Sequence, residues 1–303
     1  MTFSIAARDE RTGQLGVASA SHAYGVGIAD HARAGCGAVA TQAFVEVSYG
    51  PRGLDLLGMG IAPREALAAL LSADPDREIR QVALVGASGE IAHHTGARCV
   101  PSCGAVVAGT SIAIGNMLDG ERVLHAVSDA FNEGEGDLAD RLLAGLRAGE
   151  GAGGDVRGRM SAALRVVSAE PGANLWEGDL RVDFDADPLE ALGTHLRMSR
   201  AYDVFFRSVF APGLVTGTEP VTGEALETAL AGLRATQKVL GEDMEPTVWQ
   251  GVLLLRAGEE RRGCELIVRA IDARPGFARF VDGLARAGLV PLTSEQILER
   301  NAR

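Results

Sequence analysis

The sequence predicts an α+β fold: two antiparallel β-sheets packed face to face between outer helices, as a four-layer αββα sandwich, followed by an all-helical C-terminal region. Strand-like and helix-like segments come in blocks, in the order strands, helix pair, strands, helix pair, strands, rather than in strict alternation. From about residue 190 the pattern is helical to the end. We therefore expect a sandwich domain over residues 1–190 and a helical domain over residues 191–303.

The first predicted element is the alternating stretch MTFSIAAR, which has the period of a half-buried strand. Phe3, Ile5 and Ala7 should share one face, and the residues between them the other. The segment DERTGQ supplies a turn, with Gly13 where a positive φ is usually needed. The return strand, residues 15–21, is built from small side chains, which leaves room for another group to approach it.

The remaining elements of this domain follow in order. GIADHARAG and CGAVATQAF should be two strands joined by a glycine turn, and GPRGLDLLGMG and APREALAALLSAD two helices. IRQVALVGASGEIAHHTG should be a hairpin, and VVAGTSIAIGNMLDG one buried strand. ERVLHAVSDAF and DLADRLLAGLRAG carry apolar stripes at helical spacing, and SAALRVVS and DLRVDFD close the domain as strands.

The composition excludes several classes of protein. The chain has 303 residues, of which 47% are hydrophobic, so it can bury a sizeable core. Its net charge of −11 would repel a phosphate backbone, so we expect no nucleic-acid partner. There is no signal-peptide pattern and no apolar run long enough for a membrane span, so no membrane association is expected. Four cysteines in a chain of this length fit a reducing cytoplasm.

The C-terminal region contains one weak repeat-like segment, GVLLLRAGEERRGCELIVRAIDARPG. Small and large residues stand where a tetratricopeptide repeat has them, although the aromatic position does not match. An ordinary helical hairpin is the alternative. A single unit of either kind cannot bury its own apolar face, so it should pack on neighbouring helices or on a second chain, and a homo-oligomer is expected.

Thr2 raises the first question about chemistry. Its small side chain would permit removal of Met1, which would leave a free α-amino group beside the Thr2 hydroxyl. An α-amine titrates near neutrality and could accept the hydroxyl proton, which would make Thr2 a self-contained nucleophile. The alternative is that Thr2 is only the first residue of a strand.

Two other stretches carry candidate catalytic groups. In GGDVRGRMSAALRVVS, Asp155 on a glycine-rich turn could orient the amine, and Arg157 could hold a substrate carboxylate. In IAIGNMLDGERVLHAV, Asn116 and nearby backbone N–H groups stand between a strand and a helix, where they could meet an oxyanion. A solvated surface turn and a plain strand-to-helix connection are the alternatives.

Candidate substrate-binding side chains lie on or beside the small-residue strands. His22 could line the same pocket as Thr2, or it could be a satisfied histidine at a strand end. An amide in the stretch ATQA is suited to a substrate carbonyl. The full predicted set is Ser19, Ser21, His22, Gln42, Arg157 and Ser161.

A metal site is the competing chemical hypothesis. His93 and His94 precede Cys99 and Cys103, and the cysteine spacing resembles that of ligands. Adjacent histidines on a strand point to opposite faces, which opposes convergence on one ion. We therefore expect neither a metal nor another cofactor.

The stretches MTFSIAARD, TGQLGVASAS, ARAGCGAVATQA, SYGPRGLDLL, TGARCV, GNML and GGDVRGRMSAAL resemble a bacterial and archaeal group, domain-of-unknown-function family 1028, over about residues 1–186. The order of elements and the Met-Thr start resemble the N-terminal-nucleophile hydrolase fold of proteasome β-subunits. Some members of the family carry a C-terminal helical module to which peptidoglycan binding has been ascribed, and residues after 190 resemble it weakly.

The resemblance also shows two departures. The proteasome-type site uses a lysine on an inner strand, but the only lysine here is Lys238, so Arg33 is the nearest substitute. An arginine could lower the pKa of the amine by its charge but could not shuttle protons. The hydrolase pattern also has a serine three residues after its aspartate, and that position, counted from Asp155, is Gly158 here.

Two functions follow as hypotheses. The first is hydrolysis of an amide bond in a small molecule or short peptide, with Thr2 as nucleophile and Arg33, Asn116 and Asp155 as its helpers. The second is a non-catalytic protein of the same fold that binds a ligand or a partner.

Overall fold

The computed structural model describes residues 2–171, 178–210, 213–215 and 223–302. The chain divides into two compact units, Met1–Leu196 and Arg197–Arg303. The helix α5 (Pro188–Val209) runs across the point of division. No described helix is both long and apolar enough to cross a membrane.

The first unit contains two antiparallel sheets. The six-stranded sheet has the order β10-β9-β2-β1-β8-β7, and the four-stranded sheet the order β3-β4-β5-β6. The strands are β1 (Thr2–Arg8), β2 (Leu15–Ser21), β3 (Asp30–Arg33), β4 (Gly37–Ala43), β5 (Arg80–Gly86), β6 (Ile91–Thr95), β7 (Gly104–Ala108), β8 (Ser111–Asn116), β9 (Ser161–Val167) and β10 (Gly178–Val182).

Helices cover the outer face of each sheet, so the predicted α+β sandwich of four layers is confirmed. On the four-stranded sheet, the helices α1 (Tyr49–Gly58) and α2 (Pro63–Ser72) pack apolar side chains against β4 and β5. On the six-stranded sheet, α3 (Arg122–Glu133) and α4 (Leu138–Gly151) do the same. A third apolar cluster fills part of the space between the two sheets.

The alternation in β1 decides which side chains enter each layer. Phe3, Ile5 and Ala7 belong to the apolar cluster under α3 and α4, and Ala6 belongs to the cluster between the sheets. Because successive side chains on a strand point to opposite faces, Thr2 and Ser4 face the space between the sheets with Ala6. The predicted faces of this strand are confirmed.

The single strand predicted for VVAGTSIAIGN is wrong, because this segment forms the hairpin of β7 and β8. Gly109 has a φ of 56°, a backbone conformation that residues other than glycine rarely adopt, and this conformation lets the chain reverse there. Thr110 then fixes the turn by a hydrogen bond from its hydroxyl to the Arg8 carbonyl, at 2.7 Å. The turn was missed because only three residues, Gly109, Thr110 and Ser111, separate the apolar stretches on its two sides.

The described part of the second unit is helical, as predicted. The helices that contain Gly251 and Gly263 pack with their backbones close together. A Cβ atom added at Gly251 would lie only 2.9 Å from the Gly263 carbonyl oxygen. These glycines lie in the repeat-like segment, whose two halves are these two packed helices. The helices that follow α5 are α6 (Gly223–Leu240), α7 (Glu245–Arg256), α8 (Glu260–Ala273), α9 (Gly276–Arg286) and α10 (Ser294–Asn301).

Candidate functional site

Thr2 lies at one end of the six-stranded sheet, between the ends of two neighbouring strands. It pairs with Asn116, the last residue of β8, while β2 on its other side ends at Ser21. The Thr2 hydroxyl donates to Ser21 Oγ at 3.1 Å, and Thr2 is only 7% exposed. We call this end of the sheet, marked by Thr2, Ser21 and Asn116, the Thr2 edge. Met1, whose removal the nucleophile hypothesis requires, lies outside the described residues.

Two glutamines of the four-stranded sheet reach across to the Thr2 edge. Gln42 Nε2 donates to the Thr2 carbonyl oxygen at 3.1 Å and to Gln81 Oε1 at 2.7 Å. Gln81 Nε2 lies within 3.0 Å of three oxygens, Thr95 Oγ1 and the carbonyls of Gly104 and Gly115. These amides fasten the two sheets together and fix the backbone on which Thr2 stands.

Asn116 completes this group of amides. Its Nδ2 donates to Gln81 Oε1 at 3.1 Å. Its Oδ1 is buried and has no hydrogen-bond partner among the residues that the structure describes. A buried polar atom without a partner is uncommon, and here it stands beside Thr2, where a donor from a processed N-terminus or a substrate could meet it.

A row of hydroxyl groups leads from these amides to a buried carboxyl group. Ser4 Oγ lies 2.6 Å from Gln42 Oε1 and 2.6 Å from Ser19 Oγ, and Ser19 Oγ lies 2.5 Å from Asp30 Oδ1. We call the whole set the inter-sheet polar network; it comprises Thr2, Ser4, Ser19, Ser21, Asp30, Gln42, Gln81 and Asn116.

The pKa of Asp30 reflects its position in this network. Burial is the largest cause and raises the pKa of Asp30 to about 7. The hydrogen bond with Ser19 and the positive charges of Arg165 and Arg181 lower this pKa, and the negative charge of Asp179 raises it. The second carboxyl oxygen, Oδ2, is buried without a hydrogen-bond partner among the described residues. An ionised group would be costly in such surroundings.

Asp155 lies at the same edge, where its carboxylate holds a loop in place. It bridges to Leu118, two residues beyond Asn116, and its carboxylate accepts from the His22 N–H at 3.0 Å. Arg157 donates to the same carboxylate from its backbone N–H at 2.9 Å and from Nη2 at 3.2 Å. Asp155 therefore anchors the loop that closes the Thr2 edge, one residue beyond Ser21, and Arg157 is held there with it.

Strained backbone clusters around the same residues. Three described residues other than glycine have a positive φ: Ala43 at 69°, Ser102 at 55° and Met117 at 54°. Ala43 follows Gln42, Met117 follows Asn116, and the Ser102 carbonyl accepts from the N–H of Leu118 at 3.1 Å. Such conformations cost about 1–3 kcal/mol each and gather at functional sites.

The expectation that Arg33 lies beside Thr2 is wrong. Arg33 pairs with Gly37 at the start of β4, whereas Gln42, which reaches Thr2, stands near the other end of that strand. Its guanidinium donates to Asp55 of α1 at 2.8 Å, and the pair is largely exposed. The turn between β3 and β4 carries Arg33 to the opposite end of the sheet.

The other predicted binding residues lie near the Thr2 edge. Some belong to the polar network, and others contact only nearby backbone groups. Ser19 and Ser21 face the polar network. The hydroxyl of Ser161 is engaged by local backbone, since it donates to the Ala23 carbonyl at 2.5 Å and accepts from the Val26 N–H at 3.1 Å. The ring of His22 lies with Nδ1 3.3 Å from the Arg159 carbonyl oxygen.

The histidine–cysteine stretch makes separate contacts. His94 Nε2 lies 2.9 Å from the Arg77 carbonyl oxygen, and the Cys99 thiol donates to the Arg80 carbonyl at 3.3 Å. Burial raises the pKa of Cys99 and lowers that of His93. Within the described residues, no group of three or more His, Cys, Asp or Glu side chains could hold a metal ion.

Sequence reasoning missed three members of the network. Ser4 shares its predicted face with Thr2, which could have indicated that it belongs to the same site. Gln81, like Gln42, is an amide in a mostly apolar strand, which could have indicated a buried polar contact. Asp30 gave no such signal, because its burial comes from the packing of β3 against β2.

Comparison with known proteins gives a family but no activity. A sequence model of a family of unknown function, DUF1028, matches residues 2–192, which is nearly the whole first unit. A crystal structure of protein SPO2555 from Silicibacter pomeroyi, also assigned to DUF1028, is 34% identical, with a TM-score of 0.60. The similarity covers 65% of this chain and 84% of that one. No curated protein matches the chain.

Proposed function

This chain belongs to the DUF1028 family of unknown function, and on that premise we propose that it hydrolyses an amide bond of a small molecule or short peptide, with Thr2 as an N-terminal nucleophile. The observation that carries the proposal is the placement of Thr2. Its hydroxyl lies at an enclosed sheet end where one side-chain hydroxyl and three buried amides come together, and the Asp155 carboxylate holds the neighbouring loop at His22.

The reaction requires the loss of Met1. The free amine of Thr2 would take the hydroxyl proton as Oγ1 attacks the substrate carbonyl carbon, and the protonated amine would then pass that proton to the leaving nitrogen. The acyl ester on Oγ1 is released by water, which restores the hydroxyl. This sequence consumes one water and needs no metal or redox partner.

The surrounding residues have separate tasks in this proposal. Gln42 holds the Thr2 carbonyl, and Oδ1 of Asn116, which has no partner among the described residues, is an acceptor for the amine in its charged form. Asp155 and Arg157 shape the loop beyond Ser21 and offer a cation for a substrate carboxylate. The Met117 N–H, directly after Asn116, is the candidate donor to the oxyanion, because the N–H groups of Leu118 and Asp119 already donate to carbonyls.

The loops at this edge also indicate the character of the substrate. Tyr24, Phe44, Val45 and Val156 are exposed large apolar residues, and each lies in a loop that follows a strand end or bridge at the Thr2 edge. Exposed apolar side chains around a polar centre suit a substrate with an apolar group next to its amide.

The test combines mass spectrometry with turnover. The intact mass should show loss of Met1, and a panel of short-peptide and N-acyl amino-acid p-nitroanilides should reveal hydrolysis. Thr2→Ala should abolish turnover, because alanine also permits methionine removal and so leaves the amine in place without the hydroxyl. Thr2→Ser is the matched control and should keep measurable activity. Unchanged turnover in Thr2→Ala would show that Thr2 is not the nucleophile.

One observation favours a second function, a non-catalytic binding protein. Arg33, the expected substitute for the proteasome-type lysine, pairs with Asp55 away from Thr2. A protein that keeps Met1 and turns over none of the amides, yet is stabilised against heat by one of them, would have this second function.

We also propose that residues 1–190 form the catalytic domain and residues 191–303 a helical domain of a cytoplasmic homo-oligomer. Four free cysteines suit a reducing compartment. Light scattering on the full chain would measure the oligomeric state, and a monomer at micromolar concentration would contradict it.

A further inference from the structure

The row of short contacts from Gln42 to Asp30 needs more hydrogen atoms than its two serines possess. Three oxygen–oxygen contacts of 2.5–2.6 Å join Gln42 Oε1, Ser4 Oγ, Ser19 Oγ and Asp30 Oδ1. Each contact needs one hydrogen atom between its oxygens, because two oxygens at this distance otherwise repel. Two serine hydroxyls provide two hydrogens, so one contact still lacks its hydrogen.

Gln42 cannot supply the missing hydrogen. Its Nε2 group faces two acceptors, the Thr2 carbonyl and Gln81 Oε1. The Gln81 amide is fixed in turn, because its Nε2 faces the carbonyls of Gly104 and Gly115. Turning the Gln42 amide over would place its oxygen against two other oxygens. Gln42 Oε1 therefore accepts from Ser4, and Ser4 must accept from Ser19.

We infer that Asp30 is a neutral carboxylic acid in the folded protein, and that its hydrogen orders a directed row, Asp30 to Ser19 to Ser4 to Gln42, which positions Thr2. In this arrangement Asp30 Oδ1 carries the hydrogen and donates to Ser19. Asp30 is a positioning residue, since it acts on Thr2 through Gln42. Its neutral state stands on the contacts alone, whereas its importance for Thr2 rests on the proposed function.

The surroundings of Asp30 agree with a neutral group. Asp30 is 2% exposed, and burial raises its pKa to about 7. The charged groups that act on it are Arg165, Arg181 and Asp179, from β9 and β10, and the two arginines are themselves paired with Asp179. Oδ2 has no partner in the described part of the chain, and a neutral acid tolerates this better than a carboxylate would.

Ionisation of Asp30 would break the row. Ser19 would have to donate to the carboxylate, and the single hydrogen of Ser4 could then serve only Ser19 or Gln42. One short contact would lose its hydrogen, and Gln42 would loosen its hold on the Thr2 carbonyl. The site should therefore be ordered below about pH 7 and less well ordered above it.

The sign of the stability change follows from the same shift. The pKa of Asp30 is about 7 in the folded chain against an ordinary 3.8, so folding takes up a proton between these values. The Asp30 contribution to the free energy of unfolding should fall as the pH rises from about 4 to about 7 and level off above.

Infrared spectroscopy of the full chain tests the inference directly. At about pH 6, where ordinary carboxyl groups are ionised, wild type should show the carbonyl band of a protonated carboxylic acid. Asp30→Asn should lack that band, and Asp55→Asn, which removes an exposed carboxylate of α1, should keep it. The amide in Asp30→Asn can donate to Ser19 without ionising, so this variant should match wild type in stability near pH 4 and exceed it at pH 7 and above.

Two results would overturn the inference: no protonated carboxyl band in wild type at about pH 6, or a band that survives Asp30→Asn. The spectrum of wild type keeps the test decisive even if the variant folds poorly. Failure of the proposed function is separable, because it would appear as full turnover in Thr2→Ala with the band intact. With activity present, turnover by wild type should decline above about pH 7 and that of Asp30→Asn should persist.

A second, independent feature lies in the C-terminal unit. A groove of about 420 Å³ among α6, α7 and α8 has four cationic side chains and one carboxylate in its lining. These are Arg234, Lys238, Arg262, Arg269 and Glu265. The buried Thr247 and Gln250 of α7 also line the groove, and leucines form its apolar part.

Most of this positive charge has no ion-pair partner within the described residues. Arg262 pairs with Glu259, and Glu265 is shared with Arg261 at 3.6 Å. Arg234, Lys238 and Arg269 form no ion pair with any residue in the described ranges. In a chain with a net charge of −11, such a concentration of positive charge is a local exception.

We propose that this groove binds a small phosphorylated anion. Its volume suits a small molecule, and arginine forks bind phosphate oxygens in pairs. A nucleic acid is a poor fit because the rest of the chain is acidic.

Calorimetry of the full chain with pyrophosphate at low salt tests this site. Wild type should bind, and the double variant Arg234→Gln with Arg269→Gln should bind at least about tenfold more weakly. Arg279→Gln removes one exposed charge from α9 and should leave binding unchanged. Equal binding by all three proteins, no binding by wild type, or tighter binding of a poly-glutamate peptide would overturn the assignment.

Discussion

The space between the two sheets has two ends that differ completely in chemistry. In each of five strands, the side chain at the Thr2 end is polar, while the residue two positions further on the same face is apolar. The pairs are Ser4 and Ala6, Ser19 and Val17, Gln42 and Ala40, Gln81 and Ala83, and Asn116 and Ile114. The apolar partners all belong to the cluster between the sheets.

The difference shows that the polar end was not built for stability. Buried polar groups return little net free energy even when fully hydrogen-bonded, and apolar residues would pack as well at the same positions. Five strands nevertheless place a polar side chain in this layer, next to three residues with strained backbone. A layer of this kind is typical of a site that must hold groups in fixed orientations.

The largest effect on stability should come from Gln81→Leu in the polar layer. The change removes the Gln81 amide from contact with Gln42, Asn116 and the carbonyls of Gly104 and Gly115, at a total cost of about 3–5 kcal/mol in the free energy of unfolding. Ile112→Val in the apolar layer should cost only about 0.5–1.5 kcal/mol. Urea unfolding of both variants measures the contrast, and equal costs would mean that the polar layer is no more constrained than the apolar one.

A smaller effect is expected from Asp155→Asn at the Thr2 edge. An amide can still accept from the His22 N–H but loses the charge that holds Arg157, so we expect a cost of about 1–2 kcal/mol. The loop of residues 153–158 should also become easier to cleave in limited proteolysis. Unchanged cleavage would show that the loop is ordered by other contacts.

The smallest effect is expected from Arg33→Ala at the opposite end of β3. Its partner Asp55 is exposed, so the pair should contribute within about 0.5 kcal/mol, and amide turnover should stay at the wild-type level. A loss of turnover would restore Arg33 to the site and contradict the comparison between the two ends.

Much of the fold could be predicted because its signals are local. The apolar stripe that includes Val123, Leu124 and Val127 required a buried helix face, and the alternation of β1 assigned its two faces correctly. The hairpin of β7 and β8 could not be predicted in the same way. Only Gly109, Thr110 and Ser111 separate its two apolar stretches, and it is the antiparallel pairing of β7 with β8 that shows the chain reversing there.

The site was predicted in part for the same reason. Thr2, Asn116 and Asp155 stand at element ends, and the sequence shows where elements end. Arg33 also stands at an element end, but two ends can lie at opposite edges of a sheet, and the sequence does not distinguish them. Asp30 was missed because a lone aspartate at a strand start is usually exposed, and its burial depends on a distant strand.

The sequence by itself determined the order of elements, the apolar faces and the polar character of the residues that enter the sandwich, because hydrophobic period and turn chemistry act over a few residues. Only the tertiary structure decided which of these polar groups meet. Register between strands far apart in the chain brought Ser4 to Gln42 and Ser19 to Asp30 and sent Arg33 away. The protonation of Asp30 is likewise a tertiary property, since burial and a shortage of hydrogen atoms arise only when both sheets are in place.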